Sequence, residues 1–131
     1  MNISLLGAGY WGSKIAKELE ILIPVNDIQI VDIKDGKTID DVSHQNVIVA
    51  TPALEHYTHT CTLLDRGHNV YVEKPLAMNI SEAELMISTA KKNGVKLMVG
   101  HLLKYHPIFN TIQRIIEAGD IGELNNIYSN R

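Results

Sequence analysis

The feature that most restricts this chain lies at residues 7 to 12, Gly-Ala-Gly-Tyr-Trp-Gly. It sits between the apolar run Ile3-Ser4-Leu5-Leu6 and a stretch, Ser13 to Leu22, in which Ile15, Leu19 and Leu22 recur at helical spacing. Where a strand turns straight into a helix, glycines at 7, 9 and 12 allow a tight turn, close approach of a diphosphate to the backbone, and close helix packing. On its own such a stretch can be no more than a turn. The second signal is Asp32, 20 residues after Gly12 and at the end of the next apolar run, Ile28-Gln29-Ile30-Val31. An acid at that place can accept a hydrogen bond from the 2′-hydroxyl of an adenosine ribose. Together the two signals point to a bound dinucleotide. The same carboxylate would repel a 2′-phosphate and no arginine follows it, so NAD is expected over NADP, although Lys34 and Lys37 stand nearby.

The rest of the chain repeats the strand-then-helix rhythm. Val47-Ile48-Val49-Ala50 reads as a strand, and Tyr57, Cys61 and Leu64 mark one face of a helix closed by Gly67. Val70-Tyr71-Val72 is the next strand. Ser81-Glu82-Ala83-Glu84 resembles a capping box opening a helix that stops at Asn93-Gly94, before a strand over Val95 to Val99. A last helix is expected from Pro107 through Ile108, Ile112, Ile115 and Ile116 to Gly119. Strands alternating with helices of this length imply a mainly parallel sheet, doubly wound with helices on both faces. The 131 residues are about one domain long, and 45% hydrophobic with 21% charged residues is an ordinary globular composition. A net charge of −3 gives no reason to expect nucleic acid or an anionic membrane. The single Cys61 rules out an internal disulfide and fits a reducing compartment, no signal peptide or membrane span is visible, and the expected location is the cytoplasm.

Every unusual tripeptide falls at the carboxyl end of an expected strand: Ala50-Thr51-Pro52, Glu73-Lys74-Pro75 and Gly100-His101. Ligands of open α/β sheets bind along that edge. Lys74 is therefore expected to face the cofactor crevice, partly buried, where it could take a proton as a hydride leaves the substrate. A lysine merely paired to Glu73 at a turn is the plainer alternative. His101, at a strand end, is expected either to touch cofactor or substrate or to be tied to backbone, and His106, before Pro107, to be a helix-entry residue or a substrate contact. Tyr10 and Trp11 pack under the diphosphate turn or line the pocket mouth. His56 and His59 are one helical turn apart but lack a third ligand, so no metal site is expected. His44 and His68 read as loop residues, and Cys61 as core.

These motifs together, Gly7-Ala8-Gly9-Tyr10-Trp11-Gly12, Ala50-Thr51-Pro52 with His56, Glu73-Lys74-Pro75-Leu76-Ala77 and Val99-Gly100-His101, resemble the glucose–fructose oxidoreductase, inositol dehydrogenase and rhizopine-catabolism (Gfo/Idh/MocA) family. The resemblance implies a Rossmann-type fold and an NAD(P)-dependent dehydrogenase acting on sugar or cyclitol carbons. It carries the catalytic role onto Lys74, with His101 as the second catalytic candidate, and places Ala50, Thr51, Pro52, His56, Glu73 and Lys74 itself close to the cofactor. The run from Gly100 to Pro107 is similar to members that oxidise nucleotide-linked sugars at C3. Two departures stand out. Only 17 residues separate Asp32 from Ala50, so the sheet is expected to be shorter by about one crossover near its edge. The family also continues into a C-terminal α/β substrate domain, and residues 122–131 resemble its first strand, which makes residues 1–121 the cofactor domain. The reading that follows is an NAD-dependent sugar dehydrogenase module, expected to be inactive alone and to need a second domain, a separate partner or a homo-oligomer. The rival is a non-catalytic NAD-binding module, such as a cofactor sensor or half of a split enzyme.

Overall fold

The computed structural model describes residues 1–130 of the 131. The chain divides into two compact units, Met1–Gly100 and a second from His101 on. The first unit holds strands β1 (Ile3–Leu6), β2 (Ile28–Val31), β3 (Asn46–Val49), β4 (Asn69–Val72) and β5 (Leu97–Val99). They form one sheet in the order β2-β1-β3-β4-β5, and every pairing is parallel. Its helices are α1 (Tyr10–Leu22), α2 (His56–Asp65) and α3 (Ile80–Asn93).

Register aligns Leu6 with Val31 on one side and Val49 on the other, and Val49 with Val72. That row is buried and joins Leu63 and Leu64 of α2 with Met86 and Ala90 of α3 in one core. From β1 the chain steps one way along the sheet to β2, and from β3 it steps the other way to β4 and β5. Right-handed crossovers then put α1 on one face and α2 and α3 on the other, as a doubly wound sheet requires.

The expected loss of a crossover is seen between β2 and β3. Residues 32–45 carry the chain past β1 with two 3₁₀ turns, Ile33–Asp35 and Ile39–Asp41, and neither a helix nor a strand. A polar latch holds this short connection. Gln29 Oε1 accepts from the buried Ser4 hydroxyl at 2.6 Å and from Ser43 N at 3.0 Å, while its Nε2 donates to Asp41 O at 2.8 Å. His44 N then donates to Ser4 Oγ at 3.2 Å.

Several element details differ from the sequence reading. The buried stripe of α1 is Gly12, Ala16 and Leu19, and Leu22 is exposed. Two small residues bring the helix close to the sheet, which large residues at the expected positions would prevent. Helix α3 starts two residues earlier than its supposed capping box, because Asn79 Oδ1 accepts from Glu82 N at 2.9 Å and leaves Ser81 inside the first turn. In α2 the deepest residues are His56, Thr60, Leu63 and Leu64, with Tyr57 and Cys61 half-buried beside them. Strand β5 begins only at Leu97, since Val95 N closes the end of α3 on Ala90 O at 3.1 Å.

In the second unit a 3₁₀ turn, Leu102–Tyr105, precedes α4 (Pro107–Glu117). Pro107 opens the helix as expected, and His106 Nδ1 accepts from Ile108 N at 3.3 Å. Residues 124–130 are neither helix nor strand. Over 122–130 the strand read at 122–131 finds no neighbouring ladder among the described residues to satisfy its backbone, and position 131 lies outside those residues. Among the described residues no helix is long and apolar enough to cross a membrane.

Candidate active site at the carboxyl edge of the sheet

Strands β1 and β3 are neighbours whose chains leave in opposite directions, so a crevice opens between their carboxyl ends. The three glycines beside it do three different jobs. Gly7 has φ +91°, donates to Val31 O at 2.9 Å, and would bring a Cβ to 2.9 Å from the Ala50 backbone. At Gly12 a Cβ would lie 2.0 Å from Gly7 O, so this glycine is what lets α1 lie against the turn. Gly9 caps α1 without a side chain, and a Cβ there would meet nothing within 4 Å. Of the three, Gly9 alone leaves open space in front of the first-turn amides.

A cavity of about 530 Å³ extends from that space. Gly7, Gly9, Tyr10 and Trp11 line it from the turn, Asp32 from the end of β2, and Ala50, Thr51 and Pro52 from the end of β3. Lys34 and Lys37 are also on its wall. Asp32 is buried, and its oxygens accept from Lys34 N at 2.9 Å and Ala8 N at 2.5 Å. These two bonds, the Lys34 one first, hold its carboxyl below the ordinary carboxylate value against the opposing effect of burial. Each oxygen keeps a second lone pair with which to accept a hydroxyl.

The same cavity reaches two residues that were not expected there, Glu55 and His59. His59 Nδ1 is 3.1 Å from Thr51 Oγ1 and 3.8 Å from a Glu55 carboxylate oxygen. Burial pushes the His59 imidazole below its ordinary value, and Glu55 opposes the shift. The sequence weighed His59 only as a metal ligand. The four-residue spacing from Glu55, starting just behind Thr51-Pro52, was the available sign that one helix face returns to this wall. Among the described residues no group of three or more His, Cys, Asp or Glu side chains could hold a metal ion.

A smaller cavity of about 300 Å³ shares Trp11, Ala50 and Thr51 with the first and adds Ala53, His56, Glu73 and Lys74. Here the ending Glu-Lys-Pro of β4 becomes intelligible. Successive residues of an extended chain point to opposite sides. Glu73 turns inward and is buried, with Oε1 accepting from the Tyr71 hydroxyl at 3.2 Å and Oε2 from Lys74 N at 3.3 Å. A Cβ on Gly100 would stand 2.6 Å from that hydroxyl and 2.9 Å from Glu73 Oε1, so the glycine before His101 makes room for this pair. Lys74 turns outward and is exposed, not partly buried as its strand-end position suggested. The Glu73 carboxylate addresses Tyr71 and a backbone amide, not the Lys74 ammonium. The Lys74-Pro75 peptide is cis. His56 is buried with both ring nitrogens against backbone carbonyls, so it offers the cavity no free donor. His101 opens the second unit, where its carbonyl accepts from Lys104 N at 3.0 Å.

This arrangement suits a dinucleotide. An uncapped helix start fronted by an open glycine fits a diphosphate, and an ionised, hydrogen-bonded Asp32 on the cavity wall fits a ribose hydroxyl. Residues 14–101 match the Gfo/Idh/MocA family, an oxidoreductase family with an NAD-binding Rossmann fold. The match starts behind the glycine turn and includes Asp32, so it is independent of the glycine-turn observation alone. Among curated proteins, the 2,7-anhydro-N-acetylneuraminate hydratase of Mediterraneibacter gnavus is 25% identical over 149 residues, 100% of this chain and 39% of that protein. The scyllo-inositol 2-dehydrogenase (NADP(+)) of Bacillus subtilis is 34% identical over 86 residues, 66% of this chain and 24% of that protein. Among solved structures, an NAD binding oxidoreductase from Klebsiella pneumoniae is similar with a TM-score of 0.75 at 27% identity, over 94% of this chain and 40% of that one. The chain thus spans less than half the length of these relatives.

Proposed function

The chain belongs to the Gfo/Idh/MocA oxidoreductase family, of which it carries the NAD-binding Rossmann domain, and from that premise we propose that it serves an NAD-dependent sugar dehydrogenase. The proposed substrate is a hydroxyl-bearing carbon of a sugar, cyclitol or nucleotide-linked sugar. The observation that carries this reading is the smaller cavity, which sets Lys74 on the wall of a space sharing Trp11, Ala50 and Thr51 with the cofactor cleft.

Gly9 and the first turn of α1 would hold the diphosphate, and Asp32 would hold the adenosine ribose. The chemistry the cofactor supplies when bound is acceptance or donation of a hydride at the nicotinamide. Thr51, Pro52 and Trp11 would bound the space for that ring. Lys74 carries the proton: as the neutral amine its Nζ takes the proton leaving the substrate hydroxyl, and as the ammonium it returns that proton in the reverse direction. His101, at the start of the second unit, is the second candidate for proton transfer. The named activity of the Bacillus subtilis relative supports a cyclitol or sugar, and the resemblance of Gly100 to Pro107 supports a nucleotide-linked sugar.

The test is made on the natural gene product with NAD and a panel of cyclitols, sugars and nucleotide-linked sugars, following reduced-cofactor absorbance. Lys74→Ala should lower turnover by about 10² while NADH affinity stays within about threefold. A large loss of affinity at unchanged turnover would make Lys74 a binding residue. NADH binding with no turnover on any substrate would favour the non-catalytic module.

A further inference from the structure

Lys74 is the group on which the proposed chemistry turns, yet its ammonium has no hydrogen-bond or ion-pair partner among the described residues. Nothing at the tip of the side chain fixes where it points, so its bearing depends on the backbone from which it springs. The carbonyl of the next residue, Pro75, is gripped by His56: ring Nδ1 lies 2.6 Å from Pro75 O. The other nitrogen, Nε2, lies 2.9 Å from Thr51 O.

These carbonyls belong to different strand ends, Thr51 just past β3 and Pro75 just past β4, while the ring belongs to the first turn of α2. The last ladder bond between the two strand ends runs from Glu73 N to Val49 O at 2.9 Å. Beyond it, among the described residues, the imidazole is the hydrogen-bonded link between the two turns. At 2% exposure water does not compete for either nitrogen. Carbonyl oxygens only accept, so the ring holds by donating. A ring with one N–H grips one carbonyl, and a ring with hydrogen on both nitrogens grips both.

We propose that His56 is a positioning residue for Lys74: by bridging the carbonyls of Thr51 and Pro75 it sets the width of the smaller cavity and the bearing of the lysine within it. His56 does not contact substrate in this role. The larger cavity does not include His56 on its wall, so the grip on the adenosine and diphosphate is independent of it. The inference rests on the catalytic role proposed for Lys74 but is tested separately from it.

The experiment compares His56→Phe, which fills the space and donates nothing, with His56→Gln, which restores a donor. Turnover and KM for NAD are measured on the natural gene product. On the unliganded protein, the acylation rate of Lys74 by acetic anhydride is followed by peptide mass mapping, with exposed Lys17 of α1 as the internal standard. His56→Phe should lower kcat by about 30-fold with KM for NAD within about threefold, because a misplaced proton acceptor costs the chemical step rather than cofactor binding. Lys74 labelling should change at least about threefold relative to Lys17, and His56→Gln should recover most of the lost kcat. Lys74 labelling that is unchanged in His56→Phe would overturn the proposal. So would kcat and NAD binding falling together with no recovery in His56→Gln. Should His56→Phe fail to fold, nitrogen-15 spectra of the wild-type chain decide: two His56 ring N–H protons, at Nδ1 and Nε2, both protected from solvent exchange are expected, and a ring with one N–H or with freely exchanging protons refutes the strap. The two readings fail differently, since turnover surviving in Lys74→Ala removes the lysine from catalysis without touching the labelling result.

Discussion

Replacing Gly9 and Gly12 one at a time by alanine separates packing from binding within a single turn. At Gly12 the added Cβ would sit 2.0 Å from Gly7 O, and carbon–oxygen contacts below 3.0 Å are essentially never found, so the helix start must retreat by about 1 Å. Gly7 cannot yield in return, because it is itself against the Ala50 backbone. Overpacking of this kind costs about 3 kcal/mol, while alanine in the first turn of α1 returns up to about 1 kcal/mol of helix propensity. The net loss of about 2 kcal/mol corresponds to a fall in Tm of about 8 °C for a chain of this length. At Gly9 the backbone is extended, φ −66° and ψ −162°, and a Cβ meets nothing, so Tm should move by no more than about 2 °C. The methyl group would instead stand where a diphosphate must approach the amides, and NADH affinity should drop about tenfold, which is about 1.4 kcal/mol. Thermal unfolding gives the first quantity. Quenching of Trp11, the chain's one tryptophan and a wall of both cavities, gives the second. Gly9→Ala binding NADH like wild type would remove the diphosphate from this turn, and Gly12→Ala melting like wild type would refute the packing argument.

Asp32→Ala should weaken NAD more than NADP and should also lower Tm by several degrees, since it strands the Ala8 and Lys34 amides; equal losses for the two cofactors would take Asp32 away from the ribose. The Asp32 carboxyl is held below the ordinary aspartate value, about 3.9, by the Lys34 and Ala8 amides, so its contribution to stability is whole above that value and disappears as pH falls through the lower folded one. Denaturation midpoints of wild type and Asp32→Asn should therefore converge in acid. The His59 imidazole is also lowered, chiefly by burial, but as a base: the unfolded chain binds its proton first, so stability is full above about 6.5 and declines as pH falls through it. His59→Asn should remove that component, and a wild-type and variant pair with the same Tm difference at pH 7.5 and pH 5.5 would refute it.

Much of this protein can be read along the chain because the information is local. Apolar runs of four residues, glycines between a strand and a helix, an acid at the end of β2 and odd tripeptides at three strand ends are each short-range patterns, and parallel sheets order such patterns by a handedness rule. The five strands, the doubly wound sheet, the missing crossover after Asp32 and the gathering of Gly9, Asp32 and Thr51 on one cavity, with Lys74 on the neighbouring one, all follow from that reasoning. What it could not reach depends on which atoms meet across the fold. Which glycine packs and which leaves room was settled by Gly7 lying against Ala50 and Gly12 against Gly7. Helix α1 buries Gly12 and Ala16, not Ile15 and Leu22, because closeness to the sheet selects small residues over hydrophobic ones. The Gln29 latch joins Ser4, Asp41 and Ser43 across separate segments, and no periodicity marks a hydrogen bond. Glu73 and Lys74 are adjacent in sequence yet face opposite ways, the acid to Tyr71 and the base to the cavity, because a strand alternates sides while a tripeptide motif does not say where the strand lies. Local order decided the elements and the edge at which they act; side-chain direction and backbone carbonyls at a distance decided how His56, His59 and Lys74 stand at that edge.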